Sequence, residues 1–162
     1  MNRYEDLDNT DIAILRALQD NSRLTAKELA AKVHLTHSPA FERQKRLERE
    51  GFIKGYMAVI DAEKVGNGIL VLCNIKLKQH TEDLIQQFMD AVQNIEEITE
   101  CFNTSGDYDF LIKVYAENMK AYQQFMQHTL GKMECVGSLH SVFVIDETKN
   151  THGVTIRRRR QE

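Results

Sequence analysis

The stretch from residue 25 to residue 51 constrains the fold of this chain most, because it carries start and stop signals for two short helices. Thr25 and Glu28 have the spacing of a capping box, which predicts a helix from about Thr25 to Val33. A second helix is predicted immediately after a short turn. Its end signals are an N-cap serine, a proline for the first helical position and a C-terminal glycine: Ser38, Pro39 and Gly51. Two short helices joined by a tight turn predict a helix-turn-helix.

The second helix of this pair is basic, which favours insertion into the DNA major groove. Arg43 is expected to reach O6 and N7 of a guanine, whereas Arg46, Arg49 and Lys32 are expected to meet phosphates. The residues predicted to bind double-stranded DNA are Thr25, Lys32, Thr36, His37, Ser38, Arg43, Arg46 and Arg49. The alternative is a solvated helix whose arginines are neutralised by neighbouring glutamates, which are Glu42, Glu48 and Glu50.

The segments around the helical pair set the predicted domain boundaries. An earlier helix is predicted to start at Asp8 or Asn9, and residues 52–61 are predicted to form a strand pair or strand linker. The predicted DNA-binding domain is therefore residues 1–60, with a linker at 61–68 and a second domain at 69–162. Residues 1–60 carry ten Lys and Arg against nine Asp and Glu, whereas residues 61–162 carry eleven against fifteen. The acidic second part is thus not expected to face DNA.

The second domain is predicted to be an α+β domain with the element order strand-helix-strand-strand-helix-strand. The strands are expected at residues 69–77, 98–104, 110–115 and 138–145, and the helices at 81–94 and 118–130. This ferredoxin-like βαββαβ order places both helices on one sheet face. Leu70 and Leu72 then lie on the opposite, bare face together with apolar residues of other strands. An uncovered apolar face predicts a homodimer.

A polar turn between two strands is the candidate ligand site, and it holds Thr104, Ser105, Gly106, Asp107 and Asp109. Its carboxylates can hold an ammonium group and its backbone N–H groups a carboxylate, which together suit a free amino acid. The alternative is an ordinary hairpin turn. The cysteine and histidine spacings predict no metal site, and the chain shows no catalytic or nucleotide-binding motif. The run at residues 157–160 is expected to be a solvated tail, with extra DNA contact as the alternative.

Three blocks of the sequence, LTAKELAAKVHLTHSPAFERQKRLEREGFIKGY, CFNTSGDYDFLIKV and SVFVIDETKN, resemble the Lrp/AsnC family of transcription regulators in order and spacing. The resemblance implies a winged helix-turn-helix followed by a regulatory domain that dimerises and assembles further, often into octamers. It also implies an amino-acid effector near Gly106, Asp107 and Asp109, with leucine as the first candidate. Two departures from the family pattern are His37, where a proline is expected, and Gln44, where an apolar residue is expected.

The resemblance implies a cytoplasmic regulator that responds to an amino acid, with no cofactor and no enzymatic activity. Two other functions remain open at this point: a ligand-independent architectural DNA-binding protein, and a subunit of an enzyme of amino-acid metabolism. No apolar run reaches the roughly 18 residues needed to span a bilayer, so no membrane association is expected.

Overall fold

The computed structural model describes residues 3–157, and the chain divides into two compact units. The first unit consists of residues 1–59 together with residues 149–162, and the second consists of residues 60–148. The sequence-based boundaries differ, because they placed residues 149–162 in the second domain. That assignment relied on local patterns, whereas the contacts of residues 154 and 156 are made with the first helix, at least 135 residues earlier in the chain.

Three α-helices form the first unit: α1 (Asn9–Asp20), α2 (Ala26–Lys32) and α3 (His37–Arg49). Thr25 caps α2 through the predicted capping box with Glu28, and Asp8, one of the two caps predicted for α1, forms a second capping box with Asp11 that was not predicted. Apolar side chains of all three helices share one core. Its buried members are Leu7, Ile12, Ile14, Ala17, Leu18, Leu29, Ala30, Val33, Ala40 and Leu47.

The start of α3 differs from the prediction, which made Ser38 the N-cap. The N-cap is Thr36, whose backbone is extended and whose carbonyl accepts a hydrogen bond from Ala40 N–H at 3.3 Å. Pro39 consequently occupies the third helical position. It is tolerated there because the first N–H groups of a helix have no acceptor within the helix. The helix ends as predicted before Gly51, which has φ of 77° and lies in a Schellman motif.

The predicted strand pair at residues 52–61 is wrong, because this segment forms no ladder in the described part of the chain. Its aromatic and β-branched residues favour strands, but strand formation also needs a hydrogen-bonding partner. Phe52 and Ile53 instead pack against the first core, and Met57, Val59 and Ile60 are exposed. The predicted linker at 61–68 holds a short 3-10 helix, Glu63–Val65.

The second unit has the predicted element order. It consists of β1 (Ile69–Leu77), α4 (Glu82–Val92), β2 (Ile98–Asn103), β3 (Phe110–Ala116), α5 (Met119–His128) and β4 (Val136–Phe143). The strands form one antiparallel sheet in the order β2-β3-β1-β4. This order is that of a ferredoxin-like fold.

Both helices of the second unit cover the same face of the sheet. Val71, Cys73 and Ile75 of β1 are fully buried in a core that α4 and α5 complete through side chains such as Phe88 and Phe125. The opposite face, called here the open face, carries apolar residues that are only partly buried or exposed: Leu70, Leu72, Phe102, Leu111, Tyr115 and Val142. The predicted apolar sheet face is therefore present, although an ion pair between Lys113 and Glu100 interrupts it.

Candidate DNA-binding and ligand-binding sites

The first turn of α3 is open to solvent. Thr36, His37 and Ser38 are exposed, and Thr36 makes no side-chain capping bond. The His37 ring stacks on Phe41 at a centroid distance of 6.2 Å, and Phe41 itself is 43% exposed. These side chains are therefore free to meet base edges or phosphates at the helix end where helix-turn-helix proteins read DNA.

Two of the predicted DNA-binding arginines form ion pairs within the unit. Arg43 Nη1 lies 2.6 Å from Asp8 Oδ2 and 2.8 Å from Asp11 Oδ1, and Arg46 Nη2 lies 2.5 Å from Asp11 Oδ2. These bonds connect the start of α1 to the middle of α3. The Arg43 and Arg46 side chains remain about one-third exposed, although the Arg46 Nε atom is buried without a hydrogen-bond partner.

Asp11 is the buried carboxylate at the centre of this cluster, with only 1% of its side chain exposed. It also accepts a bond from the Asp8 backbone N–H. Burial raises the pKa of Asp8, but its bonds from the Asp11 N–H and from Arg43 outweigh this, so its pKa lies below the usual value. Bonds to Asp8 and then Asp11 raise the pKa of Arg43. Asp8 and Arg43 are therefore stabilised in their charged forms, and the ion pairs of the cluster hold α3 against α1.

Sequence reasoning missed Asp11, although a signal was available. Asp11, Ile14 and Leu18 are buried on α1 at spacings of three and four residues, so the aspartate occupies a position of the apolar stripe. A carboxylate at such a position needs a partner, because an unpaired buried charge is very costly. The basic helix α3 offers that partner.

The other predicted DNA-binding residues are spread around the helical unit. Arg49 is exposed in the last turn of α3, and Lys32 forms a weak surface pair with Asp20 at 3.5 Å. Thr25 is exposed, but its hydroxyl is engaged in the capping box with Glu28. Lys45, which was not among the predicted contacts, pairs with Glu48 at 2.6 Å and lies 5.7 Å from the centre of the Phe41 ring.

A second polar cluster was also missed, and it connects α3 to the segment that follows it. Glu48 Oε1 accepts hydrogen bonds from Tyr56 Oη at 2.9 Å and from Gln44 Nε2 at 3.1 Å. Gln44 Nε2 also donates to Tyr56 Oη at 3.0 Å. The polar residue at position 44 thus anchors the chain beyond α3. The sequence signal was Gln44 itself, noted only as a departure from an apolar pattern.

The candidate ligand turn joins β2 to β3, and the structure brings its two ends together. The Thr104 N–H donates to the Asp109 carbonyl, and the Thr104 hydroxyl donates to the Tyr108 carbonyl, both at 2.9 Å. Gly106 has φ of 116°, a conformation that other residues rarely adopt. Ser105, Gly106 and Asp107 at the tip are exposed.

Asp109 has a structural role that the prediction of an ammonium ligand did not include. Its Oδ2 accepts from the Leu77 N–H at 2.7 Å, and its Oδ1 lies 2.8 Å from Nδ1 of His80. The bond from Leu77 and the adjacent His80 lower the pKa of Asp109. Both carboxylate oxygens therefore tie the turn to the end of β1, whereas Asp107 is the carboxylate exposed at the tip of the turn.

Within residues 3–157, no three His, Cys, Asp or Glu side chains are grouped as a metal site would require. The helices in this range are also too short or too polar to cross a bilayer.

Known proteins resemble both units. The family model described as the Lrp/AsnC ligand binding domain matches residues 70–154, and the one described as a winged helix-turn-helix DNA-binding domain matches residues 7–54. The leucine-responsive regulatory proteins of Klebsiella pneumoniae and Escherichia coli strain K12 are each 37% identical to this chain over 155 residues, which is 96% of this chain and 94% of each relative.

Solved structures agree with these matches. A transcriptional regulator of Neisseria meningitidis, solved as a complex with L-Met, superposes with a TM-score of 0.88 at 34% identity and covers 92% of this chain and 96% of its own. An AsnC family regulator of Agrobacterium tumefaciens superposes with a TM-score of 0.87 at 30% identity, over 92% and 97% of the two chains. The chain therefore belongs to the Lrp/AsnC family of DNA-binding transcription regulators.

Proposed function

We propose that this regulator senses a free amino acid with an apolar side chain, and that the turn at residues 104–109 takes part in binding it. The exposed Asp107 carboxylate is suited to an ammonium group, and the backbone around Gly106 is suited to a carboxylate. The L-Met complex of the Neisseria relative and the name of the leucine-responsive relatives support an apolar amino acid. Leucine is the first ligand to test, and methionine, which has a similar volume, is the second.

The open face of the sheet is the proposed dimer contact. Its partly buried leucines, together with Tyr115, Phe102 and Val142, form an apolar surface that a second copy of this chain would remove from water. A dimer presents two copies of α3, and a spacing near 34 Å would place both in successive major grooves on one face of DNA. Ligand-dependent association of such dimers, up to an octamer, would change how these helices are spaced.

For DNA contact we propose two roles within the first unit. Thr36, His37 and Ser38 face base edges, and Lys32 and Arg49 meet phosphates, as does the start of α2 at Thr25. Arg43 and Arg46 are oriented by Asp11, and the exposed parts of their guanidinium groups contact DNA. We also propose that the protein works in the cytoplasm as a regulator and not as an enzyme.

The experiment that tests sensing measures thermal stability, assembly size and DNA affinity with and without free leucine or methionine. Aspartate serves as the control, because its charged side chain does not suit a site that selects amino acids with apolar side chains. A ligand that binds the folded state raises the melting temperature by mass action, so a rise with leucine or methionine alone is expected. If no amino acid changes any of the three quantities, the protein is a ligand-independent architectural DNA-binding protein. That alternative is favoured by the internal engagement of both Asp109 oxygens.

A further inference from the structure

The helix α3 presents three faces, and two of them are occupied within the first unit. Ala40 and Leu47 are fully buried in the core of that unit. Arg43 and Arg46 turn toward α1, where they form the ion pairs described above. The third face is exposed to solvent, so it is the part of α3 that is most accessible to DNA.

His37, Phe41 and Lys45 form a stripe along this exposed face, because they are spaced by four residues. The Phe41 ring has a neighbour on each side. It stacks on the His37 ring at a centroid distance of 6.2 Å and an interplanar angle of 6°, and Lys45 Nζ lies 5.7 Å from its centre. Lys45 is in turn held by an ion pair of 2.6 Å with Glu48. These contacts restrict the ring, so it loses little conformational entropy when it meets a partner.

Phe41 is the one large apolar side chain that α1, α2 and α3 leave exposed in the described part of the chain. A single exposed apolar residue is common on protein surfaces. This one, however, lies in the N-terminal half of the helix that a helix-turn-helix protein inserts into the major groove. Its phenyl ring carries no hydrogen-bond donor or acceptor, so apolar contact is the interaction that it can offer to a base.

The major-groove edges of the four bases differ in polarity. Adenine, guanine and cytosine present donors and acceptors there, whereas thymine also presents a C5-methyl group. A phenyl ring pressed against a polar edge excludes water from a group that the ring cannot satisfy, which costs free energy. Against the methyl group, the ring and its partner both remove apolar surface from water. An exposed phenyl ring on this face therefore favours thymine over the other three bases.

We propose that Phe41 is a specificity-determining residue, which reads a thymine by contact with the C5-methyl group in the major groove. This contact rests on the proposed insertion of α3 into the groove, and it adds a base contact that the predicted DNA-binding residues do not include. Lys45, beside the ring, adds positive charge toward the phosphate backbone. Of the arginine run at residues 157–160 only Arg157 is described, and the thymine contact does not involve this run.

The test uses the full-length protein and a duplex that the wild type selects from a random pool. Each thymine of this duplex is replaced in turn by deoxyuridine, which removes the C5-methyl group and keeps the other major-groove groups. Fluorescence anisotropy measures the affinity of the wild type and of Phe41→Ala for every duplex. Met119→Ala is the matched control, because Met119 is an apolar side chain on a helix of the second unit and is 56% exposed.

Deoxyuridine at the contacted position is expected to weaken wild-type binding about fourfold for each methyl group removed. Phe41→Ala should bind the thymine and deoxyuridine duplexes equally, and Met119→Ala should keep the wild-type ratio of the two affinities. A merely structural role of Phe41 would lower both affinities and leave their ratio unchanged. The proposal is overturned if no deoxyuridine substitution weakens wild-type binding, if Phe41→Ala retains the wild-type ratio, or if Met119→Ala loses it.

Arg49→Gln separates the thymine contact from the proposed insertion of α3. Arg49 is exposed in the last turn of the same helix and is proposed to meet a phosphate, so its replacement should weaken binding to all duplexes alike. If it does so while the ratio is independent of Phe41, α3 contacts DNA and the thymine contact alone is refuted. If Arg49→Gln and Phe41→Ala both bind like the wild type, the insertion of α3 is refuted as well. Circular dichroism melting establishes that each variant is folded, and Phe41→Gln replaces Phe41→Ala if the latter is not.

Discussion

Asp11 and Arg46 connect the first and third helices by an ion pair of 2.5 Å, in which the carboxylate is 1% exposed and the guanidinium side chain is 35% exposed. The same carboxylate holds Arg43. We therefore expect the orientation of α3, the helix proposed to contact DNA, to depend on this one buried acid. We accordingly expect changes at Asp11 to affect both the stability of the first unit and its DNA affinity.

Replacing Asp11 by Ala is expected to destabilise the first unit by about 2–3 kcal/mol. This is somewhat less than a fully buried pair would cost, because the arginines keep partial access to water. Chemical denaturation followed by circular dichroism measures the change. Asp20→Ala is the matched control, since its pair with Lys32 is exposed and 3.5 Å long, and it should cost less than about 1 kcal/mol. Similar losses in both variants would show that the buried cluster has no special role.

Replacing His34 by Gly is expected to stabilise the first unit. His34 follows α2 with φ of 55°, in the left-handed region that costs a residue with a side chain about 1–2 kcal/mol. Glycine avoids that strain but loses about 0.5–1 kcal/mol of backbone entropy on folding. The net gain should therefore be about 0.5–1 kcal/mol, visible as a higher melting temperature. A lower melting temperature would mean that the His34 side chain makes a stabilising contact.

Asp107→Asn and Asp109→Asn are expected to separate ligand binding from folding. The Asp107 variant should weaken binding of the amino acid and leave stability unchanged, because its carboxylate is exposed. The Asp109 variant should lose about 1–2 kcal/mol of stability, because a charged acceptor is replaced at the Leu77 N–H. Isothermal calorimetry and thermal melting give the two quantities. If neither variant loses amino-acid binding, the ligand binds elsewhere on the protein.

Acid should unfold the second unit partly through Asp109. The bond from the Leu77 N–H and the contact with His80 lower its pKa below the ordinary value of 3.8, so its stabilisation is present above that value and is lost as the pH falls through the lower, folded-state pKa. An acid titration followed by circular dichroism should show a flatter stability profile below pH 3.8 for Asp109→Asn than for the wild type. Superimposable profiles would contradict the assignment.

Alkaline pH should destabilise the second unit through Tyr122. Burial raises the pKa of Tyr122 from 10.0 to about 12, although a hydrogen bond with Ser141 opposes the shift. Because the folded state favours the neutral phenol, its contribution is intact below pH 10 and is lost as the pH rises toward 12. The loss is on the order of 2 kcal/mol. Absorbance at the tyrosinate band should show a tyrosine that titrates near pH 12 and is absent in Tyr122→Phe. Titration of all tyrosines near pH 10 would refute this.

The sequence predicted the features whose signals are local. The capping box of Thr25 and Glu28 and the end of α3 at Gly51 depend on residues within one turn of each other, and both are confirmed. The alternating apolar residues of β1 likewise predicted which sheet face is buried. The start of α3 was missed by two residues because Thr36 and Ser38 are both good caps, and only the extended backbone at Thr36 decides between them.

The features that were missed depend on contacts between distant parts of the chain. Asp11 and Arg46 are 35 residues apart, and Gln19 and Val154 are 135 apart. Periodicity within a short window can mark Asp11 as a buried carboxylate, but it does not identify the residue that pairs with it. The strand prediction at residues 52–61 failed for a related reason, since local propensity does not supply a partner for the backbone groups.

Residues 154 and 156, which return to the first helix after the second unit, also affect the order in which the protein can be completed during synthesis. Ile156 packs against the core of the first unit, yet it leaves the ribosome only after the entire second unit has been translated. While the second unit is being synthesised, the core of the first unit therefore lacks the apolar contact that Ile156 later provides. A product truncated before residue 154 would lack the Ile156 side chain and the hydrogen bonds that Arg16 and Gln19 make with this segment. Translation to residue 156 is therefore required before the DNA-binding unit reaches its final packing.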